Sequence, residues 1–428
     1  MSLPRYAEYK KSGVTWLGEV PDHWDLRRLG FYFDERREKV SDVEFAALSV
    51  TRNGVVPQLE NVAKTDDGGN RKKVCAGDFV INGRSDRKGS SGAADMDGSC
   101  SLISIVLAPN DGMRIDFAHH LLRSVPFQEE FYRYGKGIVA DLWSTNYSEM
   151  KNISLAVPPS DEQSAIAVFL DRETGKIDAL IAEQEKLLSL LAEKRLATIS
   201  HAVTRGLNPD APMKDSGVAW LGEVPVHWNV VCLRRIARNV ETGGTPSSES
   251  PSGDLEDGLP WYTPGDFGAE LVLCDSQKRV ALSLVDSGEV KAFPPGSILI
   301  VSIGATLGKV GLSGSLASAN QQINAVLLNT SMDELFVAYS LSVKSEVMRF
   351  LSNASTIGIM NQSKTKEIQV AVPPQVEQVS VASYLDEATA RVDLLEVEAS
   401  RAITLLKERR SALIAAAVTG KIDVRQAV

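Results

Sequence analysis

Apolar side chains recur at alternating three- and four-residue steps near the end of this 428-residue chain: Val392, Leu395, Ala399, Ala402, Leu406, Leu413 and Ala416. That spacing is the a/d seam of a helix that packs along one face, with Arg409 a polar interruption. Ile177, Leu180, Leu187 and Leu191 hold the matching places 215 residues earlier (392 minus 177), interrupted by Gln184 and Lys194. Pro158-Pro159 and Pro373-Pro374 open the two runs, and no proline follows within either. A helix over about 176–204 is about 45 Å long. Such stripes must be covered. Either each helix lies on its own domain, or the two pair as an antiparallel coiled coil through Ile177, Leu180, Leu187, Leu191, Val392, Leu395, Leu406 and Leu413. Duplication favours the pair, because a related surface can meet itself about a pseudo-twofold axis.

Between the helical runs the period shortens. Ala76-Gly77-Asp78 before FVI matches Pro295-Gly296-Ser297 before ILI, and SCSLISIVL (99–107) matches ANQQINAVL (319–327). These stretches predict short strands with Gly and Pro turns, followed by amphipathic helices over about 116–134 and 333–351. The pattern is α+β: two similar mixed α/β domains separated by two long helices.

The order of parts repeats as well. SGVTWLGEVPDHW (12–24) returns as SGVAWLGEVPVHW (216–228) with two differences. VPPSDEQ, starting at Val157, returns as VPPQVEQ at Val372; each leads to Leu-Asp and then Ile-Asp or Val-Asp. The helices end near AVTRG (202–206) and AVTGK (417–421). A period of about 200 residues is domain-sized and excludes a solenoid. The expected segments are 1–155, a junction and first variable domain; 156–208, a helical spacer; 209–370, a junction and second variable domain; and 371–428, a second spacer.

Composition narrows the class. Hydrophobic content of 43% and charged content of 24% fit a globular protein. The N-terminus MSLPRYAEYKK lacks the apolar core of a signal peptide, and no apolar run reaches membrane-span length. Cys75, Cys100, Cys232 and Cys274 are scattered and form no CxxC pair, which points to a reducing cytoplasm and away from a zinc site. The net charge of −9 speaks against a uniformly basic nucleic-acid binder, so local charge decides.

No catalytic signature emerges. GATLGK (304–309) has one residue too few between its glycines for a phosphate loop, and Val310 stands where Ser or Thr would hold Mg²⁺. His23 and His227 precede Trp24 and Trp228 in the repeat and read as structural turn residues, with the tryptophans as packing anchors. No residue is expected to be catalytic, to bind a cofactor or to ligate a metal. Binding has better candidates. Six cations and two acids lie between Arg71 and Lys88, and the loop NGRSDRKGSSG offers Asn82, Arg84, Ser85, Arg87 and Lys88. Arg can bridge guanine O6 and N7, Asn can bridge adenine N6 and N7, and Lys can hold phosphates. The second half is less basic; Thr245, Thr306, Lys309, Asn320, Gln321 and Gln322 are its candidates.

The duplicated WLGEVPxHW, the two VPPxxEQ…LD motifs and the two AVT ends together resemble the specificity subunit of type I restriction-modification systems, over nearly the whole chain. The segments GDFVINGRSDRKGSSG and GGTPSS…WYTPGD…ANQQINAV resemble that family's target recognition domains. The resemblance implies a non-catalytic DNA-recognition subunit in which each recognition domain reads half of a bipartite double-stranded site. It implies helices that set the spacing and dock two methyltransferase subunits, with restriction/translocase subunits joining the full complex. S-adenosylmethionine, ATP and Mg²⁺ would then belong to the partner subunits. A protein-binding adaptor with a coiled-coil scaffold and no DNA readout is the competing reading.

Overall fold

A computed structural model describes residues 4–58, 68–137, 143–248, 250–253, 257–352 and 358–425. The chain divides into two compact units, residues 1–186 with 400–428, and residues 187–399. The sequence reads as four consecutive segments. In the fold each unit instead takes one variable segment and part of both long helices, because helix faces pack on sheet-based cores whatever their order in the chain.

Each variable segment is closed at its own ends. Asp25–Arg28 pairs antiparallel with Ser154–Val157 in the first unit, and Asn229–Cys232 with Gln369–Val372 in the second. Inside the first unit, β1 (Phe33–Glu35), β2 (Phe79–Asn82), β3 (Ser91–Ala93) and β4 (Ser104–Pro109) form an antiparallel sheet in the order β3-β2-β4-β1. In the second, β5 (Ala237–Thr242), β6 (Val272–Leu273), β7 (Ile298–Val301), β8 (Val310–Ser313) and β9 (Ile323–Leu328) run in the order β5-β9-β7-β8-β6, with only the β6–β8 pair parallel.

The apolar runs at β2 and β7 follow from burial on both faces. Phe79 and Ile81 enter the main core with Trp24, Phe117, Phe127 and Phe131, while Val80 enters a smaller cluster with Leu48, Val74 and Val106. In the same way, Ile298 and Ile300 join the core around Trp228 and Phe336, while Leu299 and Val301 join Tyr262, Phe293 and Ile323. The two halves therefore share one plan, as the matched strand signals predict.

The long helices are Ser160–Arg205 and Gln375–Val418. In the first unit, Asp178 accepts from Arg410 at 2.8 and 3.1 Å, and Ile166 and Leu170 share a core with Ala417 and Val418. One helix climbs in number as the other falls, so the pairing is antiparallel. The second unit has the same arrangement: Arg195 donates to Asp393 and to Glu396, and Ile199 and Ala202 share a core with Val381 and Leu385. Asp178 and Asp393 are repeat equivalents, as are Arg195 and Arg410, each pair 215 apart (393 minus 178, 410 minus 195).

The seam itself corrects the expected one. Ile177, Leu191 and Val392 are buried, and Leu406 and Leu413 are half-buried, but Leu180, Leu187 and Leu395 are 48%, 39% and 52% exposed. The covered seam runs through 177, 181, 184, 188, 191 and 195 on the first helix and through 385, 389, 392, 396, 399, 403, 406, 410 and 413 on the second, with 388, 393, 402 and 411 half-buried beside it. Both follow strict three-four spacing. Gln184, Arg195, Glu396 and Arg410 occupy seam positions as polar side chains; the apolar count slides aside at 395 because the seam residue is Glu396, and at 180 and 187 because adjoining apolar residues, Ile181 and Leu188, take the seam instead.

The repeated junction is a hydrogen-bonded clamp. Glu162, 5% exposed, accepts from Tyr6 Oη (2.7 Å) and Trp24 Nε1 (2.9 Å) and pairs with His23 Nε2 (2.7 Å). Glu377 holds Trp228 Nε1 (3.1 Å) and His227 Nε2 (2.8 Å) in the second copy. The neighbouring Gln163 and Gln378 each accept a backbone amide, from Arg114 and Asp333, and so fix the loops that enter the helices Ile115–Arg123 and Glu334–Ser342. Gly206 and Gly420 follow the helix ends at φ of 74° and 70°, a left-handed cap that favours glycine. A Cβ on Gly420 would stand 2.3 Å from Pro21 and 3.2 Å from Trp24, so both conformation and space require glycine there.

Candidate nucleic-acid interface

In each unit the strand at the centre of the sheet runs out into a loop, and that loop is fixed in the same way. After β2, Thr145 N donates to Gly83 O (2.9 Å); after β7, Met360 N donates to Ser302 O (2.8 Å). Isolated bridges link Arg84 with Ser144 and Ile303 with Ile359. Loop 83–90 and loop 302–309 are thus structural equivalents with unrelated side chains. A basic loop in one unit answers GATLGK in the other.

The first loop contains the predicted candidates, but they do not all face outward. Asn82 Oδ1 accepts from Arg84 N (3.0 Å), so this side chain shapes the loop. Ser85 opens a single turn, Ser85–Arg87, and its amide donates to Trp143 O (3.0 Å). Arg87 is exposed and lies 3.6 Å from Asp86. The Lys88 ammonium sits 5.6 Å from the centre of the Tyr132 ring. Arg84 is exposed, and its guanidinium has no partner among the described residues. It lines a groove with Arg37, Lys39, Lys72, Ser144, Asn146 and Ser148, in which Glu35 is the one carboxylate among the described lining residues.

Three of the cations counted in the sequence are otherwise engaged. Arg71 is buried and donates to Ser99 Oγ and O at 2.9 and 3.1 Å. Lys72 bonds Glu35 and Ser104 O, and Lys73 bonds Glu38. The groove's charge comes instead from Lys39 and Arg84, with Arg37 exposed beside them but paired with Glu35 at 2.7 Å, and the sequence reading missed Arg37 and Lys39. The signal was present in DERREKV (34–40), where alternating signs masked the outward cations.

The second unit scatters its candidates. Asn320 is buried, accepts from Gln322 N (3.0 Å) and donates to Gln322 Oε1 (3.2 Å). It closes the turn before β9 and is unavailable to a ligand. Lys309 Nζ donates to Phe267 O (2.7 Å), so GATLGK forms no phosphate cradle. Thr306 is half-buried in that loop. Thr245 and Gln321 are exposed and hydrogen-bonded to each other, the one predicted pair that meets at the surface of this unit. Asn324, at the start of β9, is buried against Met360 O and Thr365. Among the described residues no group of three or more His, Cys, Asp or Glu could hold a metal ion, and no helix is long and apolar enough to cross a membrane.

Comparison with known proteins bears on this two-unit plan. Residues 225–404 match the family described as type I restriction modification DNA specificity domain. This segment is similar to type I DNA specificity domains. The type I likeness extends along the chain: a protein of Methanocaldococcus jannaschii assigned as the specificity subunit of the type I restriction enzyme MjaX is 22% identical over 96% of both chains. The MjaIX specificity subunit of the same organism is 27% identical over 39% of this chain and 40% of its own. Among solved structures, a chain from work on the complex assembly and conformational transition of a type I R-M system aligns at a TM-score of 0.66. It is 19% identical and covers 93% of this chain and 98% of its own. The HsdS subunit of Thermoanaerobacter tengcongensis aligns at 0.53 with 18% identity over 94% and 98%. The type I specificity-subunit fold therefore spans both units, including the first, which the family match leaves outside residues 225–404.

Proposed function

We propose that this chain is the DNA sequence-recognition subunit of a type I restriction-modification complex and is itself non-catalytic. Each unit reads one half of a bipartite double-stranded site. The loops after β2 and β7 carry the readout, and the paired helices set the spacing and dock two methyltransferase subunits. Restriction/translocase subunits complete the assembly in the cytoplasm. S-adenosylmethionine, ATP and Mg²⁺ are bound by those partners.

The observation that supports this reading is the pairing of a shared scaffold with divergent loops. The two loops are held by equivalent backbone bonds yet present a basic surface in one unit and Thr, Lys and Ile in the other. Selection for two different targets produces that contrast, because base edges are read by side chains while the scaffold only positions them. The antiparallel strands 25–28 and 154–157 close the first segment on itself, so it can be exchanged as a block. The test is to replace 25–155 with the equivalent segment of a relative and to map methylated sites in a host carrying the chain and its methyltransferase. One half of the motif should change. A change in both halves, or in neither, refutes the two-reader assignment.

A further inference from the structure

Asn146 and Asn361 are repeat equivalents, 215 apart (361 minus 146), and each precedes a short helix that returns the chain to its junction strand. Their side chains behave differently. Asn361 Oδ1 accepts from Lys364 N at 2.9 Å and caps its helix. Asn146 has the extended backbone of a cap residue (φ −102°, ψ 166°), but its side chain makes no cap bond. The amide is exposed and lines the groove that also holds Arg84, Lys39 and Ser144.

Its position is rigid. Thr145 is buried, with its amide on Gly83 O (2.9 Å) and its hydroxyl on Phe131 O (2.9 Å). Tyr147 Oη, on the other side, donates to Phe33 O (2.6 Å). The backbone of Arg84 bridges Ser144, two residues before Asn146, so the guanidinium and the amide project from adjoining backbones. Among the described residues the Asn146 amide has neither donor nor acceptor partnered, and an exposed amide on a fixed backbone is the side chain that matches the N6 and N7 edge of adenine.

We propose that Asn146 is a specificity-determining, base-reading residue of the first unit. This rests on the DNA-recognition reading above. Arg84 and Lys39 hold the flanking phosphates or a neighbouring guanine, and Asn146 selects one base of the first half-site. In the second unit the equivalent amide is consumed as a helix cap and selects nothing.

The experiment uses the full chain co-expressed with its methyltransferase, with methylated positions read by sequencing host DNA. Asn146→Ala should make one position of one half-site degenerate, with base preference there reduced about tenfold or more. Asn146→Asp, which removes the amide donors, should lose adenine at the same position. Asn361→Ala should leave every position of the motif unchanged while lowering the melting temperature of the purified complex. An unchanged motif in both Asn146 variants overturns the proposal and leaves DNA recognition standing. Uniform weakening at all sites, with base preference intact, overturns it in favour of a backbone contact. Loss of methylation also overturns it, in favour of a structural role where the melting temperature falls and of a backbone contact where it does not. A wild-type complex that methylates no bipartite motif removes both the proposal and the reading beneath it.

Discussion

Glu162 and Trp24, 138 residues apart, meet through a 2.9 Å hydrogen bond in which the buried carboxylate accepts from the indole N–H. Tyr6 and His23 converge on the same carboxylate. Replacing Glu162 by Ala leaves two buried donors without an acceptor. The expected cost is about 2–4 kcal/mol. Glu377 has two donors, and its side chain is 30% exposed, so water can replace it. Glu377→Ala should cost about 1 kcal/mol. Chemical denaturation of the two variants checks the order. Equal losses would mean that burial does not decide the strength of the clamp.

Acid should weaken the first unit through His119. Its Nδ1 faces the Ala93 amide (3.2 Å) and its Nε2 faces the Arg123 guanidinium (2.8 Å). Burial, and then the Arg123 charge, push its pKa down to about 4, while Asp171 works in the opposite sense. The folded ring therefore stays neutral where an unfolded one, near 6.5, takes a proton. The contribution is complete above about pH 6.5 and is lost as pH falls towards 4. From pH 7 to pH 5 this residue alone should remove about 2 kcal/mol. His119→Gln should flatten that part of the stability profile. An unchanged slope between pH 7 and 5 in the Gln variant would count against the assignment.

Arg84 and Arg87 separate on exposure of charge. Arg84 lines the groove unpartnered among the described residues, whereas Arg87 already faces Asp86 at 3.6 Å. Arg84→Ala should weaken specific DNA binding by about 1–3 kcal/mol, and Arg87→Ala by less. Titrations at several salt concentrations distinguish the kinds of contact. A phosphate contact lowers the salt slope by about one, and a base contact relaxes one motif position instead. If neither variant changes affinity, loop 83–90 is not part of the interface.

Repetition made much of this legible in the sequence. Trp24, Trp228 and the two VPPxxEQ motifs marked the junctions because equivalent contacts, made twice, held the same residues in place. The loops after β2 and β7 differ between the halves and carry no such echo, so the partners of their side chains were hidden. Arg71 looked like part of a basic surface, yet it is buried on Ser99. Asn320 looked like a base reader but closes a turn, because a short polar side chain before a strand serves either purpose. The seam slid by one residue where Arg195 and Arg410 hold it through ion pairs, since hydrophobic periodicity does not count a charge as a core residue. Asn146 drew no notice, because capping is a matter of geometry and Asn361 carries the same letter.

The helices as a spacer give the last prediction. Arg195 with Asp393, and Arg410 with Asp178, set the same antiparallel register: seventeen residues forward on one helix (195 minus 178) and seventeen back on the other (410 minus 393). Lengthening one helix alone would break one of these pairs and shift Ile177 or Leu191 out of its facing layer. Lengthening both by seven residues, after Lys186 and after Ala399, restores the heptad and keeps each ion pair within its own unit. Seven residues add about 10 Å of helix, equivalent to about three base pairs of duplex. The double insertion should therefore methylate a motif with the same half-sites and a gap about three base pairs longer. A seven-residue insertion in the first helix only should yield little methylation, because its partner cannot follow. Methylome sequencing reads both outcomes. An active double insertion with an unchanged gap would show that the spacing is held by something other than these helices.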